Sequence, residues 1–309
     1  MTAATAPAAT DELLRTLYAM AFLVEARDPY TGGHLWRVSQ LSARLAVAEG
    51  LSRTETAAAA LGGFLHDVGK VGVPDAILNK RGSLTDAEYA VVKTHPEVGG
   101  RVLLGHPLVH LIEAAVIGHH ERVDGRGYPA GLRRDALPVA ARIVALADAF
   151  DAMTSTRPYR RGLPIDETLA RIAGELDRQF DRTLAERFIA LGRAGEFDGI
   201  VGHSEPGIPL HECPMCGPVV VVRRDHQPGD PAFCRVCGTA YRLTDEGGRM
   251  HLGPTVRASR ASDLQPDIDH GLLVSLIEDV ALHLRVPAAP STDGWWARTR
   301  RLFFHAEPP

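Results

Sequence analysis

The chain has 309 residues, 45% of them hydrophobic and 23% charged, with a formal net charge of −4. This composition supports a buried core and excludes global disorder, and the length has room for one large domain plus one or two small ones. A near-neutral, slightly acidic chain lacks the electrostatic footprint of a nucleic-acid binder, so no stable nucleic-acid partner is expected.

The opening MTAATAPAATDELL has no basic stretch ahead of a long apolar run, so no signal peptide is expected. Residues 1–10 read as a flexible N-terminus. Asp11 suits the cap of a helix through LLRTLYAMAFLVEAR, whose apolar residues recur at helical spacing. A second helix is expected over HLWRVSQLSARLAVAEG, closed by Gly50, and a third over residues 53–66. Residues 85–104, 108–120, 137–154 and 164–192 predict four more. Few segments alternate with period two, so the fold class is mainly all-α over residues 11–200. DGRGYPAGL at 124–132 interrupts the helical pattern and reads as a structured loop. Residues 201–212 read as a linker or short ordered connection, 213–243 as a small ribbon, and 244–309 as a C-terminal segment. That segment is loosely structured at 250–267 and has an amphipathic helix near 270–285. The tail GWWARTRRLFFH, with Trp295, Trp296, Phe303 and Phe304 among arginines, suits packing against the domain or a dimer partner. No stretch reaches eighteen apolar residues, so no transmembrane segment is expected.

The 14 histidines are many for this length, and several sit in motif-like places. His34, the pair His66-Asp67, His95, the tandem His119-His120, and Asp148 are the side chains that two adjacent divalent metals need. Neutral imidazole with carboxylate suits iron, manganese, nickel, cobalt or zinc rather than copper(I) or an all-oxygen magnesium site. Asp67 has two oxygens and can bridge. Adjacent helical residues point about 100° apart, so a helix end near Gly69 would let His66 and Asp67 reach one centre. Two metals about 3.5–4 Å apart activate a water and clamp a phosphate, which points to a metal-dependent phosphohydrolase.

Five separated motifs make the sequence recognisable. They are DPYTGGHLWRV at 28–38, HDVGK at 66–70, THPEVG at 94–99, HHERVDGRGYP at 119–129 and ARIVALADAFDAMTSTRPYR at 141–160. In these the chain resembles the HD-GYP family of the HD phosphohydrolase superfamily over about residues 15–195. The resemblance implies an all-helical HD-type domain that hydrolyses cyclic di-GMP to pGpG and in some members to GMP, or acts on cyclic GMP-AMP. It implies one metal on His34, His66, Asp67 and Asp148, and another on Asp67, His95, His119 and His120. By the same resemblance Lys70 lies near the scissile phosphate, where it would stabilise developing charge, and Arg157 and Arg160 grip substrate phosphates. Asp151, one turn past Asp148, is expected to support the metal site or the packing around it. Trinuclear members carry a glutamate four residues before the first motif histidine; here Tyr30 stands there, which favours a two-metal centre. The loop residues Asp124, Gly125, Gly127, Tyr128 and Pro129 carry the family signature, and the loop could contact a partner such as a diguanylate cyclase domain.

All 4 cysteines fall within residues 213–237. Cys213, Cys216, Cys234 and Cys237 form two knuckles, each followed by glycine, a spacing suited to one tetrahedral structural zinc rather than a disulfide framework. That implies a reducing compartment and a cytoplasmic location. The ribbon is a second candidate surface for docking a protein partner, and a homodimer is also plausible. Against the phosphodiesterase reading stand a weakly active or inactive nucleotide-sensing adaptor and an HD phosphohydrolase for another nucleotide or a phosphonate. The signature loop argues against the last.

Overall fold

A computed structural model of the chain describes residues 7–27, 32–80, 82–156, 160–217, 219–258, 260, 263 and 269–284. The expectations for residues 1–6, Tyr30, Arg157 and the aromatic tail at 295–304 lie outside these residues. An all-α bundle comes first, small antiparallel sheets carrying the four cysteines follow, and a helix comes last.

The bundle begins with α1 (Pro7–Glu25) and α2 (His34–Ala48). The first helix starts ahead of Asp11, which is therefore internal and not its cap. Alanines and a proline at the first helical position extend the helix upstream. The third helix, α3 (Arg53–Leu65), opens with a capping box in which Ser52 and Glu55 satisfy each other's backbone N–H groups. It is central to the bundle and packs against α2, α7 (Val109–Gly118) and α8 (Val139–Thr154). Its small residues permit this. A Cβ on Gly62 would sit 2.6 Å from the Cβ of Ala115, and one on Gly63 would meet Ser42 Oγ of α2 at 2.9 Å. Tyr18, Phe64, Phe150, Phe188 and Phe197 fill the core between the helices.

Two expected helices are each broken in two. The span 85–104 forms α5 (Asp86–Val92) and α6 (His95–Val102), because Pro96 cannot continue a helix and begins a new one instead. The span 164–192 forms α9 (Ile165–Ala173) and α10 (Arg182–Arg193), separated by a turn and restarted by the Asp181 cap. A single short turn of helix, α4 (Asp75–Leu78), precedes them.

Residues 203–212 are ordered rather than a plain connection. The strands β1 (His203–Glu205) and β2 (Ile208–Pro209) pair with each other, and β3 (His211–Glu212) pairs with β4 (Val219–Val220). The remaining sheet has the order β5 (Pro231–Phe233), β6 (Thr239–Asp245), β7 (Met250–Ala258). The nine-residue β7 corrects the expectation of loose structure over 250–258, the part of 250–267 that it covers. Gly253-Pro254 hides its alternation in the sequence, and the proline is tolerated because β7 is an edge strand with register shifts against β6. The last helix, α11 (His270–Ala281), is not set apart from the bundle. It lies on α1, and Leu272, Leu273, Leu276, Ile277 and Val280 join the main hydrophobic core.

Candidate metal centre

Each candidate ligand except Asp148, which lies within α8, stands at the end of a helix or directly after it. His34 is the first residue of α2, after Gly33 in a left-handed conformation (φ 72°). His66 ends α3, and Asp67 leads into a 3-10 turn, Val68–Gly72, that carries Lys70. His95 is the first residue of α6, His119 caps the end of α7, and His120 follows it. Asp148 projects from α8. Gly69 is what lets the turn meet α6: a Cβ there would lie 1.8 Å from the carbonyl oxygen of His95. The break between α5 and α6 and the close approach of Gly69 together set His95 beside Asp67.

These residues converge. Asp67 Oδ1 is 3.4 Å from His95 Nε2, and Asp67 Oδ2 is 3.3 Å from His66 Nε2 and 3.5 Å from His34 Nε2. Asp148 Oδ1 lies 3.7 Å from His66 Nε2 and 3.6 Å from His34 Nε2. Three groups bring their ligand atoms within 4.8 Å of one another: His34, His66 and Asp148; His66, Asp67 and His119; and His95, His119 and His120.

The ring nitrogens are sorted by their outer partners. Nδ1 of His66 lies 2.7 Å from the carbonyl of Gly63, Nδ1 of His95 2.7 Å from that of Val92, and Nδ1 of His119 3.0 Å from that of Val116. A carbonyl only accepts, so each Nδ1 donates and each Nε2 is turned inward; on His95 and His119, which burial keeps neutral, it is a bare lone pair, while on His66 the neighbouring Asp67 and Asp148 favour a positive charge there. His95 Nε2 and His119 Nε2 then face each other at 3.0 Å, a repulsive contact between two lone pairs unless a cation draws both. Roughly 3 Å is the separation of two imidazole nitrogens held about 2.1 Å from one cation at a right angle. His66 Nε2 is buried without a hydrogen-bond partner. The donor set thus fits divalent cations.

The electrostatics agree. Burial works against the charged form of His34 and His66, but Asp151 and Asp67 outweigh it at His34, and Asp67 with Asp148 lifts His66 to about 10. Burial dominates at His95, His119 and His120, which all fall, His95 to about 3. Burial would raise the carboxylates, yet Lys70 and His66 hold Asp67 far below its usual range, and His66 and His34 do the same for Asp148. Positive charge is strongly favoured beside both acids.

Lys70 Nζ lies 2.6 Å from Asp67 Oδ2, at the edge of the cluster. Arg160 is elsewhere: it donates to the last carbonyls of α8, Ala152 at 2.6 Å and Met153 at 3.1 Å. Asp151, buried, accepts from His34 Nδ1 at 2.7 Å and from Arg37 Nε at 2.5 Å. Arg37 escaped the sequence reading, although its place three residues after His34 on one helix face was a signal.

The signature loop closes one side. Tyr128 stacks on His120 with ring centroids 4.7 Å apart, and its backbone N–H donates to the His120 carbonyl. Asp124 pairs with Arg122 and accepts from the Arg126 N–H at 3.0 Å. Gly125 has φ 79°. Gly127 presses on the backbone, since a Cβ there would fall 2.4 Å from Arg122 N. The tip before and after Gly131 is tied down by Glu121, buried, which accepts from the N–H groups of Ala130 at 2.7 Å and Leu132 at 3.0 Å. Glu121 was also missed, and its position directly after the histidine pair was the available signal.

In the sheets, Cys216 Sγ lies 3.6 Å from Cys213 Sγ and 3.5 Å from Cys234 Sγ, and Cys213 Sγ lies 3.7 Å from Cys237 Sγ. These lengths exclude disulfides. They match the roughly 3.8 Å edge of a thiolate tetrahedron about 2.3 Å from one zinc. Burial raises Cys234 to about 11. At Cys237 burial is overcome by Thr239 and the neighbouring thiols, which draw it down to about 6.

A helical bundle with this buried set of imidazoles and carboxylates defines a metal-dependent phosphohydrolase domain. The chain belongs to the HD domain family, whose model matches residues 19–184, just over half of the chain. Among its relatives, a cyclic di-GMP phosphodiesterase of Thermotoga maritima is 38% identical over 183 residues, covering 59% of this chain and 50% of that protein. The cyclic di-GMP phosphodiesterase response regulator RpfG of Xanthomonas campestris is 40% identical over 181 residues, covering 58% of this chain and 48% of its own. The 3'3'-cGAMP-specific phosphodiesterase 3 of Vibrio cholerae is 36% identical over 172 residues, covering 56% and 37%. The chain therefore spans about half or less of the length of these curated relatives. No helix among the described residues is long and apolar enough to cross a membrane.

Proposed function

We propose that the chain is a metal-dependent cyclic dinucleotide phosphodiesterase that opens cyclic di-GMP to pGpG and carries some of it on to GMP. The observation that supports this best is the set of inward imidazole Nε2 atoms gathered around Asp67. His34, His66, Asp67 and Asp148 would hold one divalent cation, and Asp67, His95, His119 and His120 the other. Iron and manganese suit that donor set best, with nickel, cobalt and zinc also compatible. The cations supply Lewis acidity to a phosphoryl oxygen and a nucleophilic water at neutral pH.

The chain's own residues do the rest. Lys70 puts an ammonium beside Asp67, where it offsets charge that grows on the phosphate and on the departing ribose oxygen. The anchored Nδ1 groups keep the imidazoles in one tautomer and one orientation. Arg160 grips the far phosphate only if it leaves the end of α8; Arg157 stands three residues before it. The four thiolates would hold one structural zinc. We take residues 11–200 as the catalytic unit and 213–243 as the ribbon, extended by the rest of β6 and by β7, and place the protein in the cytoplasm on its four cysteines, none of them in a disulfide. The signature loop and the ribbon are the surfaces for a protein partner such as a diguanylate cyclase domain, and a homodimer goes with this reading.

The relatives named for cGAMP make cyclic GMP-AMP the second substrate to test. Anaerobically purified protein loaded with iron or manganese, incubated with each dinucleotide, should release the linear product, and Asp67→Ala should abolish both turnover and metal content. Binding without any product from a fully loaded protein would replace the enzyme with a nucleotide-sensing adaptor.

A further inference from the structure

The first shell of the metal centre lies wholly in the bundle, yet one of its ligands is held from outside it. Asp151 fixes His34 through Nδ1, and Arg37 fixes Asp151 with two nitrogens, Nε at 2.5 Å from Oδ1 and a terminal nitrogen at 3.1 Å from Oδ2. Arg37 is only 2% exposed. Its other terminal nitrogen donates to two carbonyls, Gly32 at 2.9 Å and His203 at 2.9 Å. Gly32 lies in the turn before His34, and His203 begins β1, beyond the bundle.

The strand β1 is bound in turn to the cysteine module. Glu205, 4% exposed, accepts from Arg224 Nε at 3.0 Å and from the Arg224 backbone N–H at 3.3 Å. Arg224 also donates to the Pro206 carbonyl at 2.6 Å. The turn before His34 is shaped to receive these strands. A Cβ on Gly33 would fall 2.5 Å from Ser204 Cα, and one on Gly32 would fall 2.5 Å from Cγ2 of Val221, between the two knuckles. Beside these contacts the junction leaves a half-open cleft of about 520 Å³, bordered by Gly32, Gly33, Trp36 and Glu205.

We propose that Arg37 is a positioning residue through which the cysteine module and its β1 strap set the orientation of His34, so that one cation site of the pair depends on the module being folded. The inference rests on the metal-ligand role given to His34 above. A run of hydrogen bonds connects Arg224, Glu205 and the β1 backbone to Arg37, Asp151 and His34, and each buried donor in it is matched by an acceptor. Loosening its far end frees Arg37 to turn from His203, and Asp151 then no longer holds the His34 ring in one place. The outer partners of metal-bound histidines are worth about 10–100-fold in metal affinity. The group on His95, His119 and His120 is anchored within the bundle and is independent of the strap.

The test is a cobalt(II) titration of the full-length protein, followed by the visible absorption of the bound ion and by metal content. Three variants are read beside wild type. Glu205→Ala cuts the strap away from the cysteine module. Arg37→Lys keeps a positive charge at Asp151 but cannot also span to both carbonyls. His34→Ala reports the site itself. With the four thiolates filled beforehand by one equivalent of zinc, the proposal expects two cobalt-binding steps at the bundle in wild type and one in His34→Ala. In Glu205→Ala and Arg37→Lys the same step should weaken by about tenfold or more, with the other step unmoved. A wild-type titration in both variants, with helical circular dichroism intact, overturns the coupling while leaving the His34 site standing. A His34→Ala protein that titrates like wild type overturns the ligand role itself. Should Glu205→Ala unfold, Arg224→Gln loosens the same link more gently and is read in the same way.

Discussion

Asp181 shows how much one buried carboxylate does in this fold. It caps α10 through the Leu184 N–H and takes Arg142 at 2.5 Å and Arg134 at 2.7 Å. Burial would raise its pKa, but Arg142 and the cap hold it below the usual carboxylate range. A depressed acid stabilises the fold above its unfolded pKa, about 3.9, and that contribution disappears as pH falls through the lower folded value. Asp181→Asn keeps a good cap and removes the charge, so its stability deficit at pH 7 should shrink as the pH is taken below about 4. Asp181→Ala also removes the cap and should cost about 1 kcal/mol more in urea unfolding at pH 7. At the signature loop, Gly127→Ala places a methyl group against the Arg122 and Glu121 backbone. It should cost about 1–3 kcal/mol and lower kcat, because the loop that stacks Tyr128 on His120 must move. Wild-type turnover and melting in that variant would show the loop to be dispensable.

At the scale of elements, all the candidate metal ligands but Asp148 are supplied by helix ends. A side chain in mid-helix shares its face with residues three and four away, whereas an end can turn two neighbours toward one point. His66 and Asp67 do this as α3 gives way to the 3-10 turn. The contact between that turn and α6 has no spare room: Gly69→Ala should displace His95 from Asp67, lose about 1–3 kcal/mol of stability and remove one equivalent of bound metal. Metal analysis beside a urea titration checks it, and an alanine variant with full metal content would mean that α6 can shift freely. Much of this was legible beforehand. The candidate ligands stood out because histidines near acids and glycines recur at four places, with Asp148 in a fifth motif, and α3 and α8 were visible from their apolar periodicity. The breaks inside 85–104 and 164–192 were not, since apolar spacing continues across both, and a single proline or capping aspartate decides where the chain turns.

For the whole molecule, the bundle and the C-terminal helix share one core. Leu276 of α11 is 4% exposed, so Leu276→Ala should cost about 2–5 kcal/mol and shift the single unfolding transition of the helices. A separate early melting step confined to α11 would contradict the shared core. The cysteine sheets have a far smaller core, in which Val220, Val222, Ala232, Tyr241 and Leu243 surround two of the thiols. A core this small does not hold a module by itself, and a metal on the four thiolates would supply the folding energy. Chelation should therefore strip hydrogen-exchange protection from β5 and β6 while α3 and α7 keep theirs. Protection that survives chelation would mean that packing alone holds the ribbon.

The sequence by itself determined the helical class, the ligand types, the two cysteine knuckles and the signature loop. All of these are set by residue identity and short-range spacing, and that information is local. Tertiary structure alone decided that Arg37 reaches both Asp151 and His203, that Glu121 ties down the loop, that β7 completes a sheet, and that α11 closes the core against α1. Each of those facts joins residues far apart in the chain, where the partner of a buried polar group or an apolar face is chosen by packing and not by its neighbours in sequence.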